Sequence, residues 1–284
     1  MKAGSIYKSD VGREKILALY NEVLTQWPLP DNHITIPTRH GETFVIASGN
    51  ASAPPFVLLH GSASNSATWM GDVIEYGRHF HVHAVDIPGE PGKSDPQRFS
   101  WDGPAFNEWL DDVFDGLSLK KAFLGGISLG AWATIKYAIH RPDRVHKAVL
   151  IVPPGIHPTR RSFTARMIFL SMLGEWGRNR IKQYIFKGTE LSEEFDQFLT
   201  LIARHFNYRI GSPPLCTDEE LQSLTMPVLF LAGEKDVLLN TPKTAERLQK
   251  LVPDLTVNIF DEAGHATINT ASEVVSFLND KPFV

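Results

Sequence analysis

Gly125-Gly126-Ile127-Ser128-Leu129-Gly130 stands between the apolar run Ala122-Phe123-Leu124 and the helix-like run Ala131-Trp132-Ala133-Thr134-Ile135. The stretch predicts a strand that ends, a sharp turn with Ser128 at its apex, and a helix that begins at once: a nucleophile elbow. Gly126 and Gly130 flank the serine because a side chain at either position would collide in so tight a strand–helix crossing. The Gly-x-Ser-x-Gly pattern is weak alone. What surrounds it makes it strong.

A serine hydroxyl is a poor nucleophile at neutral pH and needs a base in hydrogen-bond reach, itself oriented by an acid. After an elbow serine these partners follow in the order acid, then histidine. Pro227-Val228-Leu229-Phe230-Leu231-Ala232-Gly233 reads as a buried strand, with Glu234-Lys235-Asp236 at its end. Val257-Asn258-Ile259-Phe260 reads as the next strand, followed by Asp261-Glu262-Ala263-Gly264-His265. Ser128, Asp236 and His265 thus each lie just past the carboxyl end of an expected parallel strand, the edge along which open α/β sheets bind ligands. Glu234 is a competing acid two residues from Asp236. Asp261 and Glu262 stand too near His265 in the chain to be favoured.

Phe56-Val57-Leu58-Leu59 is another short apolar strand, ending in His60-Gly61-Ser62. Stabilising an oxyanion takes two donors aimed at the developing charge. The backbone N–H of Leu129 is one candidate and that of Ser62 the other. His60 reads as a structural residue beneath this loop, and Asp86, in Asp86-Ile87-Pro88-Gly89, as a turn former.

With these pieces in order, the chain resembles the α/β-hydrolase superfamily, and within it bacterial carboxylesterase-like serine hydrolases with a helical cap. The resemblance runs from about Ile34 to the C-terminus and rests on His60-Gly61, Asp86-x-Pro-Gly, Gly126-x-Ser-x-Gly, Gly233-x-x-Asp236 and Gly264-His265. It implies an α/β fold: a mostly parallel central sheet flanked by helices, with an inserted helical cap. It also implies catalytic Ser128, Asp236 and His265, with Asp236 rather than Glu234 as the acid. Members with an aspartate nucleophile are disfavoured by Ser128. The loop after His60-Gly61 is rich in serine (Ser62, Ser64, Ser66) where a glycine-rich loop is the plainer pattern.

Length and composition agree with a globular enzyme. The 284 residues suit one α/β domain with an insertion. Hydrophobic residues make up 43% and charged residues 21%, ordinary for such a domain. A net charge of −4 gives no reason to expect nucleic acid as a partner. No apolar run approaches the length needed to span a bilayer, so no membrane partner is expected. Met1 to Lys15 lacks the apolar core of a signal peptide. The single cysteine, Cys216, excludes an internal disulfide, and a cytoplasmic setting is expected. His79, His81 and His83 alternate, but no further ligand spacing accompanies them, so no metal and no cofactor are expected.

Ile16, Tyr20, Val23, Leu24 and Trp27 predict an amphipathic helix over residues 11–27. It reads as a strap on the body; a gate or a homodimer element are sharper alternatives. Residues 33–48 predict a hairpin. Ala148 to Val152 is the strand after the elbow helix, and from about Pro153 to Met226 the strand–helix alternation stops. Helices are expected near 160–173, 175–187 and 192–208. The division expected is an N-terminal helical extension over 1–32, a core over 33–153 and 227–284, and a cap over 154–226. Most large apolar side chains of the cap must form its own core. Trp69, Phe163, Met167, Trp176 and Phe206 are the candidates for the substrate pocket. The Arg160-Arg161 and Arg178-x-Arg180 pairs read as solvated helix faces.

The expected activity is a serine hydrolase cleaving a small or medium carboxylic ester through an acyl-enzyme. The same triad serves thioesterases, lipases, peptidases, perhydrolases and C–C bond hydrolases, and the scaffold also serves ligand-binding receptors. Those alternatives stay open at this point.

Overall fold

The computed structural model describes residues 5–159, 163, 166–167, 169–170, 172–186, 193–209, 211–265, 270–280 and 283. A central sheet of eight strands carries the chain: β1 (Asp31–Thr38), β2 (Gly41–Gly49), β3 (Pro55–Leu59), β4 (His81–Val85), β5 (Ala122–Ile127), β6 (Val145–Ile151), β7 (Val228–Gly233) and β8 (Leu255–Phe260). Their order is β1-β2-β4-β3-β5-β6-β7-β8. β1 and β2 form the expected antiparallel hairpin, β2 pairs antiparallel with β4, and every pairing from β4 through to β8 is parallel. This is the mostly parallel α/β sheet that the chain's apolar runs predict.

The helices are α1 (Asp10–Leu24), α2 (Val73–Gly77), α3 (Ala105–Gly116), α4 (Leu129–His140), α5 (Gly174–Ile185), α6 (Glu193–His205), α7 (Asp218–Gln222), α8 (Thr241–Leu251) and α9 (Ala271–Asn279). Parallel strands covered on both faces read as continuous apolar runs, and β7 is buried at all six of its positions. α4 is buried along nearly its whole length against β3, β5 and β6. α3 lays Phe106, Trp109, Leu110, Val113 and Phe114 into the core, with the Trp109 indole N–H donating to Thr43 Oγ1 at 2.8 Å.

Between β6 and β7 the described residues hold helices α5, α6 and α7 and no strand. The helix expected near 160–173 falls partly outside the described residues, as do Arg160 and Arg161. Within the segment Phe186 packs edge-on against Phe195, and Lys182 pairs with Asp196 at 2.5 Å.

The N-terminal helix begins at Ser9, whose Oγ accepts the Gly12 N–H at 3.0 Å, and ends three residues before the expected Trp27. Its strap role is visible in the contacts. Lys8 N–H donates to His205 C=O and Asn207 N–H to Ile6 C=O, each at 2.8 Å. Ile6, Tyr7 and Ile16 share a small apolar cluster with Ile202 and Phe206. Tyr20 Oη donates to Asp86 Oδ1 at 3.0 Å. The helix therefore ties the end of α6 to the loop beyond β4.

Candidate active site

β5 ends at Ile127 and α4 begins at Leu129, so Ser128 alone makes the turn. Its φ of 50° and ψ of −112° put a non-glycine residue at positive φ, a strained conformation that clusters at functional sites. The neighbouring structure over-determines it: Ser128 N–H donates to Ile151 C=O at 2.9 Å, and Trp132 N–H to Ser128 C=O at 3.0 Å. A Cβ on Gly126 would sit 2.2 Å from the Gly130 carbonyl carbon, and one on Gly130 would sit 2.1 Å from Leu59 O. Both glycines are sterically required.

The acid and the histidine come from the next two strand ends. Asp236 is buried and its Oδ2 lies 2.8 Å from His265 Nδ1. Its Oδ1 accepts the N–H groups of Leu238 at 2.7 Å and Leu239 at 2.9 Å. Burial raises its carboxyl, but the His265 charge and hydrogen bond together with those two N–H groups outweigh burial and hold it below the usual carboxylate range. Gly233 lets the two loops meet, since a Cβ there would lie 2.1 Å from Ala263 O. Glu234, the competing acid, is exposed.

Ser128, Leu129, Ser62 and His265 line one cavity of about 170 Å³. Phe163, Trp101, Arg209 and Leu238 are also in its wall. A wider surface depression of about 440 Å³ between β8 and α9, lined by Thr256, Asn258, Glu273 and Phe277 among others, includes none of these residues. The cavity therefore brings together the elbow serine, the histidine and both expected oxyanion loops.

Four of the five expected pocket residues lie elsewhere. Trp69 closes a short 3-10 turn (Ser66–Trp69) that rolls its indole into the core against Tyr76, where it is fully buried. Phe206 is spent in the cluster beneath α1. Trp176 is 57% exposed. Met167 is half-buried and does not line the cavity. Phe163 alone of the five does, stacked on Tyr184 at 6.2 Å. The three histidines do not converge either: β4 begins only at His81, whose ring packs on that of His83 at 4.3 Å.

Sequence reasoning missed several residues. Val152, in the cavity wall, has a φ of 46°, an outlier for a β-branched residue that no residue pattern announces. Glu90, 1% exposed, accepts the Ala63 N–H on Oε2 at 2.6 Å, and its Oε1 is 3.7 Å from Arg209 Nε. Burial pushes the Glu90 carboxyl up, opposed by the Ala63 N–H and the charges of Arg209 and Arg98. Its one sequence signal is an acid set between two Pro-Gly turns, Pro88-Gly89 and Pro91-Gly92. His60 and Asp86 hold backbone: His60 Nε2 accepts the Ile87 N–H at 2.9 Å, and Asp86 accepts from Ser66 and Lys93 N–H groups at 2.8 Å each.

Comparison with known proteins agrees with this architecture. The alpha/beta hydrolase family model matches residues 56–276. The Bacillus subtilis carboxylesterase YbfK is 31% identical over 265 residues, covering 87% of this chain and 86% of that protein. The uncharacterized carboxylesterase nap of the same organism is 30% identical over 277 residues, covering 92% and 89%. Among solved structures, carboxylesterase CesB (YbfK) aligns with a TM-score of 0.85 at 29% identity, over 96% of this chain and 100% of that one. The naproxen esterase (carboxylesterase NP) of Bacillus subtilis aligns with a TM-score of 0.84 at 30% identity, over 95% and 99%. The chain belongs to the alpha/beta hydrolase family and is a hydrolase.

Proposed function

We propose that the chain is a serine carboxylesterase that works through an acyl-enzyme. The observation that carries the proposal is the 2.8 Å hydrogen bond between buried Asp236 and His265, beside a cavity that Ser128 also lines. Ser128 Oγ attacks the ester carbonyl while His265 takes its proton. Asp236 keeps the proton of the imidazole on Nδ1, leaves Nε2 as the acceptor, and stabilises the imidazolium that forms. The backbone N–H groups of Leu129 and Ser62 receive the oxyanion; that of Leu129 belongs to the first turn of α4, whose amides have no partner within the helix. His265 then protonates the departing alcohol, and water activated by His265 releases the acid and restores Ser128. None of these steps needs a cofactor.

The names of the similar proteins, carboxylesterase in each case, support an ester as substrate. A cavity of about 170 Å³ supports a small or medium acyl group, since pockets for drug-sized ligands start at roughly 300 Å³. We read residues 154–226 as a cap, because Pro154, Phe163, Arg209 and Pro213 all reach that cavity wall. A cytoplasmic setting is supported by the single cysteine, Cys216, which leaves no internal disulfide to form. Among the described residues no helix is long and apolar enough to cross a membrane.

The test is sustained turnover. Purified protein should hydrolyse short-chain p-nitrophenyl esters continuously, and Ser128→Ala should lose at least about 10³-fold in kcat. One turnover followed by arrest would instead favour a receptor on this scaffold.

A further inference from the structure

The charge of this chain is unevenly spread. Seven of its 28 basic residues lie between positions 160 and 187, against the single acid Glu175. The remainder holds 21 basic and 31 acidic residues. Glu175 is itself engaged by Arg204 at 3.0 Å.

The same segment carries the largest apolar exposure among the described residues. Phe169 is 62% exposed, Met172 78%, Leu173 39% and Trp176 57%. Phe169 and Leu170 are helical, Met172 and Leu173 form a turn, and Gly174, with a φ of 59°, opens α5, so the four side chains stand at the corner between two helical stretches. Leu170, between them, is buried, so the segment has an inner side and leaves these four outside. Arg180 stands over the Trp176 ring, its guanidinium carbon 5.3 Å from the centroid, and exposed Arg166 stands over Tyr184 at 4.4 Å. Single exposed apolar residues are ordinary on a soluble protein. Four together, with Arg180 over one of them and Arg166 exposed in the same segment, mark an interaction surface.

We propose that the apolar tip formed by Phe169, Met172, Leu173 and Trp176 docks the protein on an anionic lipid surface. The tip enters the boundary between head groups and acyl chains, and the exposed Arg166 and Arg180 meet lipid phosphates. Tryptophan with arginine is the pairing that such an interface favours, one ring apolar enough to enter and one cation left at the phosphates. A second copy of this chain is the weaker occupant. Docked face to face, it would set two strongly basic segments against each other, and a head-to-tail contact generates open assemblies unless its rotation closes. Hydropathy raises no expectation of a membrane partner because it reads spanning segments, and this surface lies flat. The proposal does not depend on the chemistry assigned to Ser128.

Vesicle co-sedimentation of the full-length protein tests it, with phosphatidylglycerol-rich vesicles beside pure phosphatidylcholine vesicles. Binding is expected on the anionic vesicles and should weaken as salt is raised. Met172→Ser with Trp176→Ser should lower the vesicle partition coefficient about tenfold or more, as should Arg180→Glu. These side chains are exposed, so the melting temperature should not move, and it is measured alongside. Three results overturn the proposal: no preference for anionic vesicles, a double serine variant that binds as the parent does, or a dimer in ultracentrifugation that the same variant dissociates while vesicles retain nothing.

Discussion

Glu90 Oε2 accepts the Ala63 N–H at 2.6 Å from within the protein interior. Ala63 has a φ of 57°, so the loop that carries Ser62 is held in a left-handed turn by a buried carboxylate. That carboxylate is in turn 3.7 Å from Arg209, which arrives from the segment between β6 and β7. The Ser62 loop and the Arg209 side of the cavity wall therefore share one ion pair. Losing an oxyanion donor costs on the order of 10²–10³ in kcat. Glu90→Ala should accordingly lower kcat by about 10²-fold with a much smaller change in KM. Glu90→Gln, which keeps an oxygen for the Ala63 N–H, should lose less. Steady-state kinetics of the pair check this, and an Ala variant with unchanged kcat would remove Glu90 from any positioning role.

The proposed acid, Asp236, is distinguished from Glu234 by its surroundings. Asp236 is buried and bonded to His265, whereas Glu234 is exposed. Asp236→Asn should cut kcat by about 10⁴-fold, since the amide favours the wrong imidazole tautomer. Glu234→Gln should be close to neutral. The reverse result would move the acid to Glu234.

Substrate ranking should respond to Phe163 alone among the large side chains first expected in the pocket. Phe163→Ala should reorder a series of acyl lengths, with about 1–3 kcal/mol of discrimination for a methylene at the wall. Trp176→Ala should leave that order unchanged. Phe206→Ala should cost about 3–5 kcal/mol of stability, because Phe206 fills the cluster of Ile6, Tyr7, Ile16 and Ile202. A p-nitrophenyl ester panel and urea denaturation separate the three outcomes.

His83 makes stability sensitive to mild acid. It is 3% exposed, and burial, with a smaller contribution from His81, lowers its imidazole to about 4. In the unfolded chain it protonates near 6.5. The folded state thus resists a proton that the unfolded state takes up. This contribution to stability is complete above pH 6.5 and declines as pH falls toward 4, by up to about 3 kcal/mol. Urea midpoints at a series of pH values should show a shallower acid decline in His83→Val than in the parent. Equal slopes would contradict the assignment.

The sheet was legible because its inner parallel strands, β3 to β7, are buried on both faces. Phe56-Val57-Leu58-Leu59 and Val228-Leu229-Phe230-Leu231 are unbroken apolar runs that stop at a turn, and each stop carries a site residue. The elbow glycines were legible for a steric reason that the 2.1–2.2 Å approaches bear out. The pocket was not legible. Trp69, Phe163 and Phe206 are equally apolar, and only the path of the backbone decides which faces a cavity and which fills a core. Val152 owes its conformation to tertiary hydrogen bonding, Val152 N–H donating to Leu231 C=O at 2.8 Å. The Glu90–Arg209 pair joins two loops that no local pattern links.

Active-site labelling tests the central claim most directly. The protein should be treated with a fluorescent serine-directed alkyl phosphonate, digested, and the modified peptide sequenced by mass spectrometry. The account predicts one adduct, on Ser128, that slows when a competing ester is present and disappears in Ser128→Ala together with turnover. An adduct on a different serine, or a Ser128→Ala variant that keeps full esterase activity, would contradict it.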